Sequence, residues 1–337
     1  MNKKIVIFVV ALIIIVIGWL VFKNFTTTTT TTKFYQGKIT IGYTTWPGYL
    51  GLYIAKEKGY FKDAGFDVDV KGYTSLADQY ADYTSGKVQG SAMLTLDVIN
   101  QAYSGLDHKI VTAIDYSNGS DGIIASPNIK RVADVKGKKV AFEYGTLEEF
   151  FLRYMLDKNN LKFSDIVPIN LNPEESAKAF VGGETDVAVT YEPFMSKALS
   201  QKEGKKIYSS ADAPGFITDV LAFHTNFLNE NRDTVEAIIN AYFKAIQFWK
   251  DNPNEANIII AKYLDTTADQ VSPQVAGLII LNEKDNKTAF TFSSGLQSLY
   301  GNLRSIDEFV KAQKKDDVKK VDTDTLIEPR FIRKIVR

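Results

Sequence analysis

Two aromatics and a set of carboxylates are the residues whose types and positions suit this 337-residue chain to chemistry. Trp46 and Tyr49 stand in "YTTWPGYLGLY", where a bare turn would need only the proline or the glycine. Large aromatic faces can sandwich a flat or methylene-rich ligand, and they attract cations. Tyr49 can equally pack beneath the following helix with Tyr53, and Trp46 can cover a sheet edge. Asp97, Asp115, Asp121, Glu143 and Glu192 fall at or just beyond the ends of strand-like segments. A buried carboxylate without a partner is costly, so a dry cleft holding several calls for a cationic or hydrogen-donating ligand. Plainer uses compete. Asp97, with Thr95 in "TLDVINQA", fits the start of a helix. Asp121 in "NGSDG" fits a turn. Asp115 can pair with Lys109 or Lys139, and Glu192 is held extended by the following Pro193.

Polar groups and one helix start complete the candidates. Ser117-Asn118-Gly119-Ser120 is a loop of short donors and acceptors, and it also reads as a glycosylation sequon. Thr146 has capping-box spacing to Glu149 and opens a helix whose amides and dipole can hold an anion. Glu148 and Glu149 in its first turn oppose that use. Lys56 and Lys58 are the basic residues among these motifs, and they lie down the first helix toward solvent. An acid-rich, base-poor cleft favours an amine-bearing, zwitterionic or heteroaromatic solute over an inorganic anion.

The elements that must position these residues alternate along the chain. "KITIGY" (38–43), "FDVDVKGY" (66–73), "GSAMLT" (90–95) and "KIVTAIDY" (109–116) read as strands separated by helices. That βαβαβ order predicts an open parallel sheet with helices on both faces. A second set follows at 122–126, 138–144, 166–171, 186–192 and 205–210, then a strand at 217–225. Beyond Asn226 the pattern is helical, including "ADQVSPQVAGLIIL", with no accompanying strand. Open α/β sheets bind ligands at the carboxyl ends of their strands, where every candidate above falls.

Composition sets bounds. Forty basic and forty acidic residues give zero formal net charge and no reason to propose nucleic acid as a partner. There is no cysteine, and the two histidines, His108 and His224, lie far apart, so no metal or cofactor is expected. Lys3-Lys4 precedes an apolar run from Ile5 to Phe22, long enough to span a bilayer and without a cleavage motif. Residues 1–24 are therefore expected to be an uncleaved anchor, with a removed signal peptide as the alternative, lysines inside and the remainder extracytoplasmic. Residues 25–37, with Thr26 to Thr32 unbroken, are expected to form an extended linker. The basic end "EPRFIRKIVR" is expected to be a solvated, partly frayed tail.

The motifs "IGYTTWPGYLGLYIAKEKGYF", "TLDVINQA", "DYSNGSDGIIA", "VADVKGKKVAFEYGT", "AFVGGETDVAVTYEPF" and "IEPRFI" resemble the nitrate/sulfonate/taurine-type solute-binding proteins of ABC importers. That family includes binders of thiamine pyrimidine precursors and riboflavin, and the likeness runs from Lys38 to Ile332. It implies a type II periplasmic-binding-protein fold, with two α/β lobes joined by strands crossing near 122–126 and 218–225. Lobe one would be 38–121 plus 226–337, and lobe two 122–225. It also implies capture of a small solute by hinge closure, delivery to a membrane permease, and a monomer without catalysis. In the family the loop of Trp46 and the "EP" of Glu192 face the cleft. Enzymes of pyrimidine or menaquinone synthesis share the fold, yet the cysteine-rich motif of the former is absent and no acid–base pair is apparent. A tethered sensor is the third class, without a supporting segment after the binding module.

Overall fold

A computed structural model describes residues 34–313 and 320–335. The expected anchor and the linker through Lys33 lie outside the described residues. Among the described residues no helix is long and apolar enough to cross a membrane. The end of the expected linker is docked rather than extended. Phe34 meets Phe66 edge-on at 4.9 Å, Tyr35 meets Phe227 at 5.2 Å, and the Tyr35 amide donates to Thr234 Oγ1. Its two aromatics have large apolar faces to cover.

The described strands are β1 (Ile39–Thr44), β2 (Val68–Tyr73), β3 (Gly90–Leu94), β4 (His108–Ser117), β5 (Asp121–Ala125), β6 (Lys139–Phe142), β7 (Val167–Asn170), β8 (Val187–Tyr191), β9 (Lys205–Ser209), β10 (Thr218–His224) and β11 (Leu278–Ile280). They form a six-stranded sheet in the order β11-β4-β10-β3-β1-β2 and a five-stranded sheet in the order β7-β6-β8-β5-β9. β1 is parallel to β2 and β3, as expected, but β10 lies antiparallel between β3 and β4. In the second sheet β5 lies antiparallel between β8 and β9. Both sheets are thus mixed, and each is interrupted by one strand arriving from the other sheet. A strand that enters at the edge where the parallel strands end must run against them.

That arrangement corrects the expected crossings. Residues 122–125 pair within the second sheet and 218–224 within the first, so the strand at 218–225 does not belong with the second set. The chain passes between the sheets through residues 118–120 and 210–217. Both passages are pinned. Ser210 Oγ accepts from the Gly119 amide at 2.7 Å, and Asn302 Nδ2 donates to the carbonyls of Gly215 and Phe216. Gly215 has φ +80, and a Cβ there would lie 2.6 Å from the Leu296 carbonyl, so this passage needs glycine. Phe216 stacks on Phe150 at 4.3 Å, which fastens helix Leu147–Lys158 beside the passage.

The helical end of the chain holds one surprise. Helix Ala268–Val275 contains Pro273 and stops before Gly277, after which Leu278–Ile280 pairs antiparallel with β4. The segment read as one helix is a helix and a strand, because Gly277 interrupts the pattern and β4 offers an open edge. The basic tail is also ordered through 335. Helix Arg330–Ile335 buries Phe331 and Ile332, and Lys334 bonds Glu236.

Candidate functional site

The turn after β1 explains its own composition. Trp46 is extended, at φ −151 and ψ 133, and Pro47–Tyr49 forms one tight turn with proline at its first position. A Cβ on Gly48 would lie 1.9 Å from Asp115 Oδ2 and 2.7 Å from Trp46 Nε1. Glycine is therefore what lets the Trp46 indole donate to Asp115 Oδ2, at 3.4 Å. The Tyr53 hydroxyl donates to the Trp46 carbonyl at 3.0 Å, so backbone and ring are both held. Tyr49 is buried, and its hydroxyl donates to Asp219 Oδ1 at 2.6 Å. The turn thus presents Trp46 and stations Tyr49 against an acid.

A cavity of about 310 Å³ opens beside this turn, at the carboxyl ends of the parallel strands of both sheets. Trp46, Tyr49, Leu94, Asp97 and Asp219 wall it from the first sheet; Asp121, Glu143, Thr146, Glu148 and Tyr191 wall it from the second. Asp219 and Asp121 occupy matching places. Each stands at the start of the antiparallel strand inserted into its sheet, just after a passage between sheets. Asp97 and Glu148 come from the first turns of the helices Thr95–Tyr103 and Leu147–Lys158.

Electrostatics set this cavity apart. Five carboxylates line it, and no lysine, arginine or histidine does. Burial pushes Asp97 up to about 6, the Tyr80 hydroxyl beside it giving partial relief. Burial likewise lifts Asp121 to about 6, against the nearby Ser117 hydroxyl and with the Glu192 charge adding to the rise. Glu148 reaches about 7 through burial, although the Thr146 hydroxyl lies 2.6 Å from its Oε2. Asp115 and Asp219, opposite one another on β4 and β10, are both raised by burial; the charge of Asp219 adds to the rise of Asp115. Asp121 Oδ2 and Asp115 Oδ1 are buried without a hydrogen-bond partner. No group of acids and histidines among the described residues is arranged to hold a metal.

The structure sorts the candidates read from the sequence. Trp46, Tyr49, Asp97, Asp121, Glu143 and Thr146 are brought together at the cavity. Asp115 stands behind Trp46 and pairs with its indole instead of with Lys109 or Lys139. Thr95 is buried outside the cavity lining. Ser117 and Ser210 share a hydrogen bond at 2.7 Å, while Asn118 and Ser120 pack on Gly277, whose carbonyl accepts from the Asn118 amide. The polar loop therefore fastens a passage between sheets and does not line the cavity. Glu192 also turns away. Its carboxylate accepts from the Ser196 amide at 3.1 Å and hydroxyl at 2.8 Å, capping the helix Phe194–Gln201. Those free first-turn donors are the nearest partners for an acid just before the helix. Thr146 holds the N-cap position that the spacing predicts, but its hydroxyl donates to Glu148 and makes no capping bond, while Glu149 reaches back to the Gly145 amide and pairs with Arg153.

Asp219, Glu148, Tyr80 and Tyr191 line the cavity and escaped the sequence reading. Asp219 had a signal: "TDVLAF" places an acid at a strand start after a passage, as "SDGIIA" does for Asp121. Glu148 was visible only as a first-turn charge.

Comparison with known proteins follows the same lines. The family model described as "NMT1/THI5 like" matches residues 46–256. A Bacillus subtilis (strain 168) protein named "Putative aliphatic sulfonates-binding protein" is 28% identical over 294 residues, covering 84% of each chain. Among solved structures, the periplasmic aliphatic sulphonate binding protein of Escherichia coli superposes with a TM-score of 0.72 at 19% identity, over 89% of this chain and 100% of that one. The alkanesulfonate-binding protein of Xanthomonas axonopodis pv. citri, bound to MOPS, gives 0.65 at 15% identity, over 87% of this chain and 99% of that one. These likenesses establish a periplasmic-binding-protein fold of two α/β sheets.

Proposed function

This chain belongs to the NMT1/THI5-like family, and on that premise we propose that it is the extracytoplasmic solute-binding protein of an ABC importer. In this reading the fold is of type II, each sheet with its helices is one lobe, and residues 118–120 and 210–217 are the hinge. The inter-sheet cavity takes a small amine-bearing, zwitterionic or heteroaromatic solute, and hinge closure readies it for a membrane permease. Closure gains only as much as the solute prefers the closed state. The observation that carries the solute class is the cavity wall: five carboxylates, four of them lifted to about 6 or 7, and no basic side chain. A sulfonate or nitrate would add negative charge to that set, which has no basic side chain to offset it. The sulfonates in the names of similar proteins therefore do not transfer directly to this cleft.

Trp46 is the aromatic wall in this reading, and Asp115 positions it. Amines or amino-heteroaromatics are expected to raise the melting temperature of the purified protein, and Trp46→Ala to lose most of that rise. Removing a stacking face should weaken binding about tenfold. Thermal-shift titration checks both. A collapse of the ligand-free variant would make Trp46 core, and a rise produced by sulfonate or nitrate alone would overturn the solute class.

The apolar run near the N-terminus is proposed to anchor the monomer at the cell membrane, with the binding domain outside. Cell fractionation is expected to leave the protein with membranes through an alkaline wash; recovery in the soluble fraction would overturn the anchor.

A further inference from the structure

Resting on the reading of this cavity as the solute site, we infer that the solute's cation is a guanidinium, a single charge on a planar group with several N–H donors, lying against Trp46. The cavity acids form one set. Beyond its burial, Asp219 feels the charge of Asp121 ahead of that of Asp97, and Glu148 feels Asp121 and then Glu143. The set therefore runs from one sheet to the other without a break. No lysine, arginine or histidine lines the cavity. Lys206, which acts on Asp121, gives its ammonium to the Gly119 carbonyl at 2.9 Å.

These acids hold more acceptor oxygens than negative charges. Burial keeps Asp219 and Glu148 at about 7, and linked like charges do not all ionise near neutral pH. Neutral hydroxyls orient two of the acids: Tyr49 donates to Asp219 Oδ1 and Thr146 to Glu148 Oε2, each at 2.6 Å. Asp121 is 7% exposed, lines the cavity, and leaves Oδ2 without a partner. A buried acceptor left unmade is costly, so the matching ligand brings several donors on one charge. A quaternary ammonium has no donor, and a primary ammonium has three on a single nitrogen. A substituted guanidinium has five in one plane, and it is the more weakly hydrated ion.

This chain already makes that match with its own side chains. Arg304 lies 4.6 Å over the Phe292 ring while donating to both oxygens of Asp324, at 2.8 and 2.7 Å. Arg330 forks onto Glu328, a carboxylate only 4% exposed, through Nε and Nη2. The cavity has the acids and the aromatic face of Trp46, and no arginine. Leu94, Leu147 and Ile217 add apolar wall for the body of the solute.

The test is calorimetric titration of the full-length protein in mild detergent, near neutral pH and at low salt. Three ions of equal charge and alkyl body are compared: n-butylguanidine, n-butylamine and n-butyltrimethylammonium. Butanesulfonate and nitrate form the anion arm. The guanidine is expected to bind about tenfold or more tightly than the amine, the gain of a further charge-assisted hydrogen bond, and the trimethylammonium ion most weakly. In Asp121→Asn, which keeps the shape, the gap between guanidine and amine is expected to narrow to about threefold or less. Glu148→Gln repeats that comparison should the first variant fold poorly. Equal affinity of guanidine and amine would overturn the guanidinium and leave the amine reading in place. Tightest binding of the trimethylammonium ion would overturn it too, since that ion offers no donor. A gap unchanged in both variants would put the guanidinium away from these acids and overturn the inference. Binding of the anions alone, or of none of the three cations, would overturn the inference and the amine reading together.

Discussion

Asp219→Asn is expected to weaken binding of a cationic solute by about ten- to hundredfold, while the ligand-free protein melts a few degrees higher. The two effects have one cause. Asp219 is 2% exposed, lines the cavity and faces the charges of Asp121 and Asp97. Asparagine has the same shape and keeps an oxygen for the Tyr49 hydroxyl, now 2.6 Å from Asp219 Oδ1. What it removes is a buried negative charge with no basic partner among the described residues. A buried ion carries a desolvation penalty of roughly several kcal/mol, and a neutral isostere that relieves part of it is expected to stabilise by about 1–3 kcal/mol. The solute loses a hydrogen bond to a charged group, about 1.5–3 kcal/mol. Titration calorimetry with an amine solute and melting curves without it measure the two arms. A variant that binds the amine as well as wild type would remove Asp219 from the site. One that melts well below wild type would show the carboxylate to be structural. Asp115→Asn is a useful companion, since Asp115 reaches the cavity only through Trp46 and should cost less binding.

Much of this site can be read from the sequence because its residues sit where strands end. Trp46, Tyr49, Asp97, Asp121 and Glu143 follow from element boundaries, and local pattern locates those within a residue or two. What escaped depends on which strand neighbours which. Asp219 matters because β10 inserts antiparallel into the first sheet, which brings it opposite Asp115 and onto the cavity wall. Nothing in the alternation of "ITDVLAFHT" specifies that neighbour, so position along the chain groups the strand with the second set although it pairs in the first sheet. Glu192 lies off the cavity wall for a local reason. Its pattern places it at a strand end, but the first turn of the next helix offers free donors closer than the cavity. Ser117, Asn118 and Ser120 lie off it together, because a polar loop between two sheets is needed first to fasten the passage. The strand β11 was hidden by apolar periodicity that suits a helix, since "LII" is too short to show alternation.

The free protein is expected to gain stability on acidification from about pH 8 to about pH 5, while its affinity for a cationic solute falls. The sign comes from the direction of the shifts. Asp97 and Asp121 rise from 3.8 to about 6 and Glu148 from 4.5 to about 7, all chiefly through burial. An acid whose folded value is raised carries a penalty that is absent below its unfolded value and complete above its folded one. Fully ionised, each of the three costs about 3 kcal/mol. Across that pH window roughly half of the sum is relieved, about 5 kcal/mol if the three were independent and less because Asp121 bears on Glu148. His108 opposes this trend. Burial holds it neutral, lowered to about 4, so its protonation in the unfolded chain favours unfolding by about 2 kcal/mol near pH 5. Surface acids held low by lysines, such as Asp82 between Lys71 and Lys87, lose their contribution only below this window. Asp219 and Asp115, opposite one another and both raised by burial, add to the gain, so the net is at least about 2–3 kcal/mol. The difference between wild type and Glu148→Gln cancels the His108 contribution, and the variant should show a visibly flatter rise. Protons compete with a cationic solute for the same carboxylates, so the ligand-induced rise in melting temperature should shrink as the free protein's melting temperature climbs. Melting curves with and without an amine across the window decide it: parallel slopes would mean that the cavity acids do not titrate there, and the charge argument for the solute would fall with them.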